Sequence, residues 1–164
     1  MSDVDVKIAT METIIGYTFT NKLLCAEALQ RMAPQVTLSI AGMPCNIESS
    51  QKLESVGDTV IDFVLYSHLL TKLIGKPYNV GDWDQVRQHV ASNKSLTRVG
   101  RAAGMHGCIL AHQGVPIATD SMIADTVEAI IGAASIDAGD KALEVAGAIM
   151  TRLGISRPPL PVNA

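Results

Sequence analysis

The chain is poor in aromatic residues, in cysteine and in positive charge. One Trp, three Tyr and two Phe amount to 4% of its 164 residues. Its β-branched residues fall in helical rather than alternating patterns, which argues against a sheet-dominated fold. Thirteen Lys+Arg against sixteen Asp+Glu leave a formal net charge of −3. That excludes a protein drawn onto nucleic acid by its overall field, so any polyanion must be held by local groups or metal ions. Cys25, Cys45 and Cys108 are odd in number and lack CxxC spacing. They exclude a disulfide scaffold or a zinc knuckle and point to a reducing, intracellular compartment, cytoplasmic by default. Long hydrophobic runs are missing too: Val60–Tyr66 is broken by Asp62, and Ala129–Ala134 is far too short to span a bilayer. The opening MSDVDVKIAT carries acids where a signal peptide needs an apolar core. No membrane partner is expected. Hydrophobic residues at 48% and charged residues at 18% are globular composition and exclude disorder.

The apolar residues that are present recur at helical spacing. Val4, Ile8, Met11 and Ile15 step by 4, 3 and 4 and predict an amphipathic helix stopping near Gly16. Asn21 caps a second helix carrying Leu23, Leu24 and Leu29, closed by Pro34. Residues 34–49 have no clear period and read as a loop around Gly42 and Pro44. Ser50 then caps a long helix to about Ile74, with Gly75 and Pro77 as its stop. Its stretch from Val60 to Leu73 is apolar on nearly all sides, which predicts a helix through the centre of the domain. Helices over 83–91 and 92–103 follow, then a Gly- and Pro-bearing connection over 104–119. Asp120 or Ser121 caps a helix to Ile136, and a last helix runs from about Asp140 to Leu153. The expectation is an all-α single domain of about seven helices over residues 1–156, with a Pro-rich tail over 157–164.

Acids stand inside two of these apolar helices. In SQKLESVGDTVIDFVL, Glu54 and Asp58 are four residues apart; in SMIADTVEAIIGAAS, Asp125 and Glu128 are three apart. At about 100° per residue each pair shares one helix face. Like charges so placed repel, and carboxylates in apolar surroundings are unfavourable unless paired or bound to a cation. Lys52 is the one basic residue at a complementary helical position, beside Glu54. Hard divalent cations, Mg²⁺ or Mn²⁺, take such oxygen ligands. Zinc would call for His or Cys, and His68, His89, His106 and His112 show neither HxH nor HExxH spacing. The competing reading is that these acids cap helix ends or pair with surface cations. Gly57 and Gly132 each lie within a turn of a carboxylate pair. A mid-helix glycine costs about 1 kcal/mol relative to Ala, for which close helix or ligand approach, or packing alone, is the reason. His68 reads as a core histidine, Trp83 as a packing residue, and Asp62 as structural.

At these residues the chain resembles the ribonuclease III family. That family's signature is ERLEFLGDxVL followed some 60–70 residues later by SxLADxxEAxIGAxxLD; here the segments read QKLESVGDTVIDFVL (51–65) and SMIADTVEAIIGAASID (121–137). METIIGYTFTNKLLCAEAL (11–29) is similar to its opening helix, turn and second helix, and VRQHVASNKSLTRVGRAAGM (86–105) to its LRxxLVxNxxLAxxAxxLGL stretch. The resemblance implies an all-α endonuclease domain that cuts double-stranded RNA with Mg²⁺, for which Mn²⁺ can substitute, and works as a homodimer making staggered cuts. By matched position its catalytic and metal-binding acids are Glu54, Asp58, Asp125 and Glu128.

The departures are local. Gln51 stands where the family often has Glu, Ser55-Val56 replaces an aromatic-Leu pair in the region of the dimer contact, and Arg31-Met32-Ala33 replaces His-Arg-Ser. Ten residues follow Gly154 where many members carry a double-stranded-RNA-binding domain. The chain therefore reads as a catalytic domain standing alone, either naturally minimal or cut from a longer protein, with weak, salt-sensitive RNA binding and room for a separate RNA-binding partner. Arg87, Lys94, Arg98 and Arg101 are either phosphate contacts or a solvated face. The alternatives are a catalytically silent, ribonuclease III-like component of a ribonucleoprotein, a metal-free helical interaction module and a helical nucleotide pyrophosphohydrolase, whose ExxE…ExxD pattern does not fit ExxxD and DxxE.

Overall fold

Local capping decides where the helices begin. The computed structural model describes residues 2–74, 80–112, 114 and 118–155. Helix α1 (Asp3–Ile15) opens on a capping box: the Asp5 N–H donates to Ser2 Oγ (3.1 Å) and the Ser2 N–H donates to Asp5 Oδ2 (2.9 Å). Its stripe of Val4, Ile8, Met11 and Ile15 is buried, and it stops at Gly16 with φ 69°, as the periodicity predicts. Helix α2 (Lys22–Leu29) begins at Asn21, whose Oδ1 accepts from the Leu23 N–H at 3.1 Å.

The segment expected to be a loop is a β-hairpin. Strand β1 (Gln35–Ile40) pairs antiparallel with β2 (Met43–Glu48), Ile40 opposite Met43 and Val36 opposite Ile47. Ala41 and Gly42 form a two-residue loop with φ 51° and 80°, the paired left-handed conformation that matches strand twist. Ile40 and Ile47 are buried, while Thr37 and Asn46 bond each other on the solvent side at 2.8 Å. The hairpin adds a small sheet to an otherwise helical domain.

The remaining elements are α3 (Gln51–Leu73), α4 (Val80–Ala91), α5 (Asn93–Ala102), a 3-10 turn (Met105–Cys108), α6 (Asp120–Ala138), a second 3-10 turn (Gly139–Lys141) and α7 (Ala142–Leu153). Among the described residues there are thus seven α-helices, in line with the expected number. Thr119, rather than Asp120 or Ser121, caps α6: its Oγ1 accepts from the Met122 N–H at 3.3 Å. The last helix starts two residues later than expected, after the second 3-10 turn. The proposed stop at Gly75 and Pro77, the domain limit at 156 and the tail over 157–164 lie outside the described residues.

The central helix is α6, not α3. Eleven of the 19 residues of α6 are buried, from Ile123 to Ser135. Its small side chains, Ala124, Ala129, Ala133 and Ala134, let α2, α3, α5 and α7 pack around it. Helix α3 buries Leu53, Ile61, Val64, Leu65 and Leu69 but leaves Phe63 and Leu70 exposed. An apolar circumference therefore does not make α3 the core. His68, on the same helix, is exposed and is not a core histidine. Trp83 does pack, edge to face on Tyr66 at 4.8 Å between ring centroids.

Candidate active site

The two acid-bearing helices touch backbone to backbone. A Cβ built on Gly57 of α3 would lie 1.9 Å from the Glu128 carbonyl oxygen, and one on Gly132 of α6 would lie 2.1 Å from that of Leu53. The absent side chains are what permits the crossing, so close helix approach is the reason for both mid-helix glycines. Glu54 and Asp58 flank Gly57 on one helix, and Asp125 and Glu128 precede Gly132 on the other. The crossing thereby sets the two pairs against each other.

Their electrostatics register that proximity. Burial pushes Glu128 up, and the charges of Asp58, Asp125 and Glu54 push it further, against Arg87, to a pKa of about 7. Asp125 is raised by burial and then by Glu54, with Arg31 opposing. The four sequence-predicted acids are thus coupled electrostatically across the crossing. Among the described residues, no three His, Cys, Asp or Glu side chains already form a metal-holding group. The donor chemistry still fits a hard divalent ion: four carboxylates, oxygen only, with more negative charge than the surroundings neutralise. No His or Cys stands among them.

Two arginines from other elements reach the cluster. Arg31 is only 9% exposed, and its Nη2 lies 3.4 Å from Glu54 Oε1. Arg87 of α4, 41% exposed, donates from Nε to both oxygens of Asp62 (2.8 Å each) and from Nη2 to Asp58 Oδ1 (3.0 Å). Those contacts with Asp62 and Asp58 hold Arg87 strongly protonated. Asp62 is thus the anchor of a cation and not a fifth member of the cluster. The expected neighbour Lys52 turns away and pairs with Glu48 at 2.7 Å. Of the four expected basic residues, Arg87 stands at the acids, whereas Arg101 pairs with Asp120.

The sequence reading missed Arg31 as part of the site. Glu27 lies four residues before it, which suggests an ordinary helical pair, but α2 ends at Leu29 and Arg31 lies beyond it. A further contributor is Ser50. It occupies the cap position of α3, but its side chain makes no capping bond to the helix backbone; the hydroxyl instead donates to Glu54 Oε1 at 2.5 Å and accepts from Arg31. A cleft of about 370 Å³ opens beside these groups, lined among others by Gln30, Arg31, Ser50, Gln51, Glu54 and Asp125.

Known proteins resemble this chain in sequence and in fold. The Ribonuclease III domain model matches residues 51–139, which hold both acid pairs. Ribonuclease 3 of Rhodopirellula baltica is 27% identical over 141 residues, covering 84% of this chain and 49% of that protein. That of Photobacterium profundum is 31% identical over 128 residues, 75% of this chain and 51% of that protein. The chain spans about half the length of these curated relatives. Among solved structures, the nuclease domain of ribonuclease III from Campylobacter jejuni matches with a TM-score of 0.70 and 25% identity, over 93% of this chain and 94% of that one. A second structure of that nuclease domain, which addresses flexibility in the region involved in its dimer formation, matches with a TM-score of 0.70 and 26% identity over 89% and 94%. The match of the Ribonuclease III domain model to residues 51–139, together with the likeness to the solved nuclease domains, places the chain in the ribonuclease III family.

Proposed function

We propose that this chain is a divalent-metal-dependent endoribonuclease domain that hydrolyses phosphodiester bonds of double-stranded RNA. The observation that carries the reading is the convergence of Glu54, Asp58, Asp125 and Glu128 at the α3–α6 crossing. Burial at that crossing, reinforced by the charges of Asp58, Asp125 and Glu54, raises Glu128 to about 7. These four side chains would hold Mg²⁺, or Mn²⁺ in its place. The chemistry such an ion supplies is activation of the attacking water and neutralisation of charge on the scissile phosphate.

The protein's own groups prepare the acids for that task. Ser50 and Arg31 hold Glu54 in one orientation. Arg87, secured by Asp62, neutralises Asp58 until another cation takes it. Glu128, raised by burial and by its carboxylate neighbours, would be favoured in its ionised form by a cation bound beside it. The net charge of −3 leaves phosphate binding to local groups, so affinity for duplex RNA is weak and salt-sensitive. The relatives' additional length leaves room for a separate RNA-binding element or partner.

A homodimer completes the proposal. Phe63 and Leu70 leave an uncovered apolar stripe on α3, on a helix that also carries two of the acids. A two-fold pairing there would present two sites to one duplex and give staggered cuts. One feature favours a second, metal-free scaffold reading: Arg31 and Arg87 already pair with Glu54 and Asp58.

Cleavage of long duplex RNA, single-stranded RNA and duplex DNA, each with Mg²⁺ or EDTA at low salt, separates the two. The expected result is cutting of duplex RNA alone, abolished by EDTA. Glu128→Gln and Asp58→Asn should abolish it while leaving the circular dichroism spectrum unchanged, since Arg87 keeps Asp62 as partner. Wild-type cleavage by either variant refutes the site; no cleavage by the folded protein with Mg²⁺ present favours the scaffold.

A further inference from the structure

Arg31 is the least expected charge in the molecule. It lies just beyond Gln30, the C-cap of α2, and the backbone there is tied to the chain at Leu110. The Arg31 N–H donates to Leu110 O (2.8 Å), and the Leu110 N–H donates to Leu29 O (2.9 Å). The buried Gln30 side chain accepts from the Met32 and Ala33 N–H groups and donates to Glu48 O (3.0 Å). The guanidinium is thereby held between the two acid-bearing helices: Nη1 donates to Ser50 Oγ ahead of α3 and to Gln30 O (3.0 Å), and Nη2 donates to Thr126 Oγ1 of α6 (3.2 Å).

Hydrogen bonding alone does not explain the placement. Among the described residues, Arg31 Nε is the buried side-chain nitrogen left without a hydrogen-bond partner, an unfavourable arrangement for a group so enclosed. A guanidinium at 9% exposure needs opposite charge to offset its lost hydration. Glu54 supplies it at 3.4 Å, with Asp125 and Glu128 acting on it from the other helix. Arg87 differs: it is well exposed and has its own carboxylate in Asp62. Apart from Glu54, the anchors of Arg31 are two hydroxyls and a main-chain carbonyl, so it stays in place if Glu54 turns to another cation.

We propose that Arg31 is a resident counter-cation of the carboxylate cluster, a positioning residue that permanently takes up charge at the Glu54–Asp125 side. It thereby keeps the acids together without metal and lowers the site's affinity for divalent ions. The inference rests on the metal-site reading above. It distinguishes this chain's Arg31-Met32-Ala33 from the sequence usual in the family at that place.

The test is calorimetric titration of Mn²⁺ into the full chain as wild type, Arg31→Gln and Arg31→Lys. Gln retains hydrogen-bonding groups without the charge, and Lys retains the charge. Arg31→Gln should bind Mn²⁺ more tightly, by on the order of tenfold, because one unit of positive charge has left a partly buried site. Arg31→Lys should stay near wild type. In EDTA, Arg31→Gln should melt lower than wild type and gain more from added Mn²⁺. If Arg31 only brackets α3 and α6, its loss loosens Glu54 instead. Unchanged or weaker Mn²⁺ binding by Arg31→Gln therefore overturns the proposal. Should that variant fail to fold in EDTA, refolding yield decides: rescue by Mn²⁺ upholds the charge role, and failure with and without Mn²⁺ overturns it. Absence of Mn²⁺ binding by the wild type itself would overturn the metal-site reading and this inference together, whereas binding by the wild type with no gain in Arg31→Gln removes this inference alone.

Discussion

Replacing Gly57 with Ala sets local propensity against tertiary contact. In an isolated helix the change is favourable by about 1 kcal/mol. In the folded domain the added methyl would stand 1.9 Å from the Glu128 carbonyl oxygen and 2.6 Å from its carbon. A Cβ has no rotamer with which to escape, and the opposing atoms are backbone. The helices must part by roughly 1 Å at a crossing flanked by Leu53, Ile61, Val127 and Ile131, where the interior is close-packed. Overpacking of this kind costs about 1–3 kcal/mol and sometimes more. With backbone on both sides, we expect a net loss of about 3 kcal/mol after the propensity gain. In a domain of this size that lowers the melting temperature by roughly 6–12 °C. Urea unfolding followed by circular dichroism measures it directly. Gly132→Ala, whose Cβ meets Leu53 O at 2.1 Å, should act alike. The double variant should lose less than the sum, because both force the same separation. Gly147→Ala in α7 is the control: open space surrounds its Cβ position, so the same substitution should stabilise by about 1 kcal/mol. A Gly57→Ala protein with an unchanged or higher urea midpoint would refute direct backbone contact at the crossing.

Two other predictions concern single carboxylates. Because Glu128 titrates near pH 7 in the fold, above its ordinary carboxylate value, its ionisation penalises the folded state. The penalty is absent below the unfolded pKa, grows as pH rises through the interval and is complete above about 7. Without metal, the melting temperature of the wild type should therefore fall across that window relative to Glu128→Gln; parallel curves for the two proteins would show that Glu128 is not crowded. Asp137 behaves oppositely. Burial pushes it up, but the N–H groups of Asn21 and Thr20 and the Tyr17 hydroxyl, all at 2.8–2.9 Å, hold its pKa below the usual value. Its stabilisation is present above the unfolded pKa and is lost as pH falls through the folded one. Asp137→Ala should lose about 2 kcal/mol at neutral pH and less in acid; a denaturant midpoint equal to wild type at pH 7 would count against this tie between α6 and the start of α2.

Helical periodicity by itself determined which segments become helices and which face of each carries acid. That information is local: residues three and four apart share a face whatever lies opposite. The stripe Val4-Ile8-Met11-Ile15, the Asn21 cap and the pairs Glu54/Asp58 and Asp125/Glu128 needed nothing more. The family motifs then tied those acids to a known type of site. The hairpin over 35–48 was not legible, because its turn is Ala-Gly rather than a strong turn pair and each strand is defined by its partner. Which apolar helix becomes the core was also beyond the sequence. Both α3 and α6 are apolar on most sides, but only the one lined with Ala and Gly lets neighbours close on every face. Tertiary structure likewise decided the counter-charges: Arg31 is 23 residues from Glu54 and Arg87 is 29 from Asp58 in the chain. Helical spacing pairs a carboxylate only with bases one turn away. Packing at the Gly57–Gly132 crossing is what brings the two acid pairs, and the arginines that neutralise them, to one place.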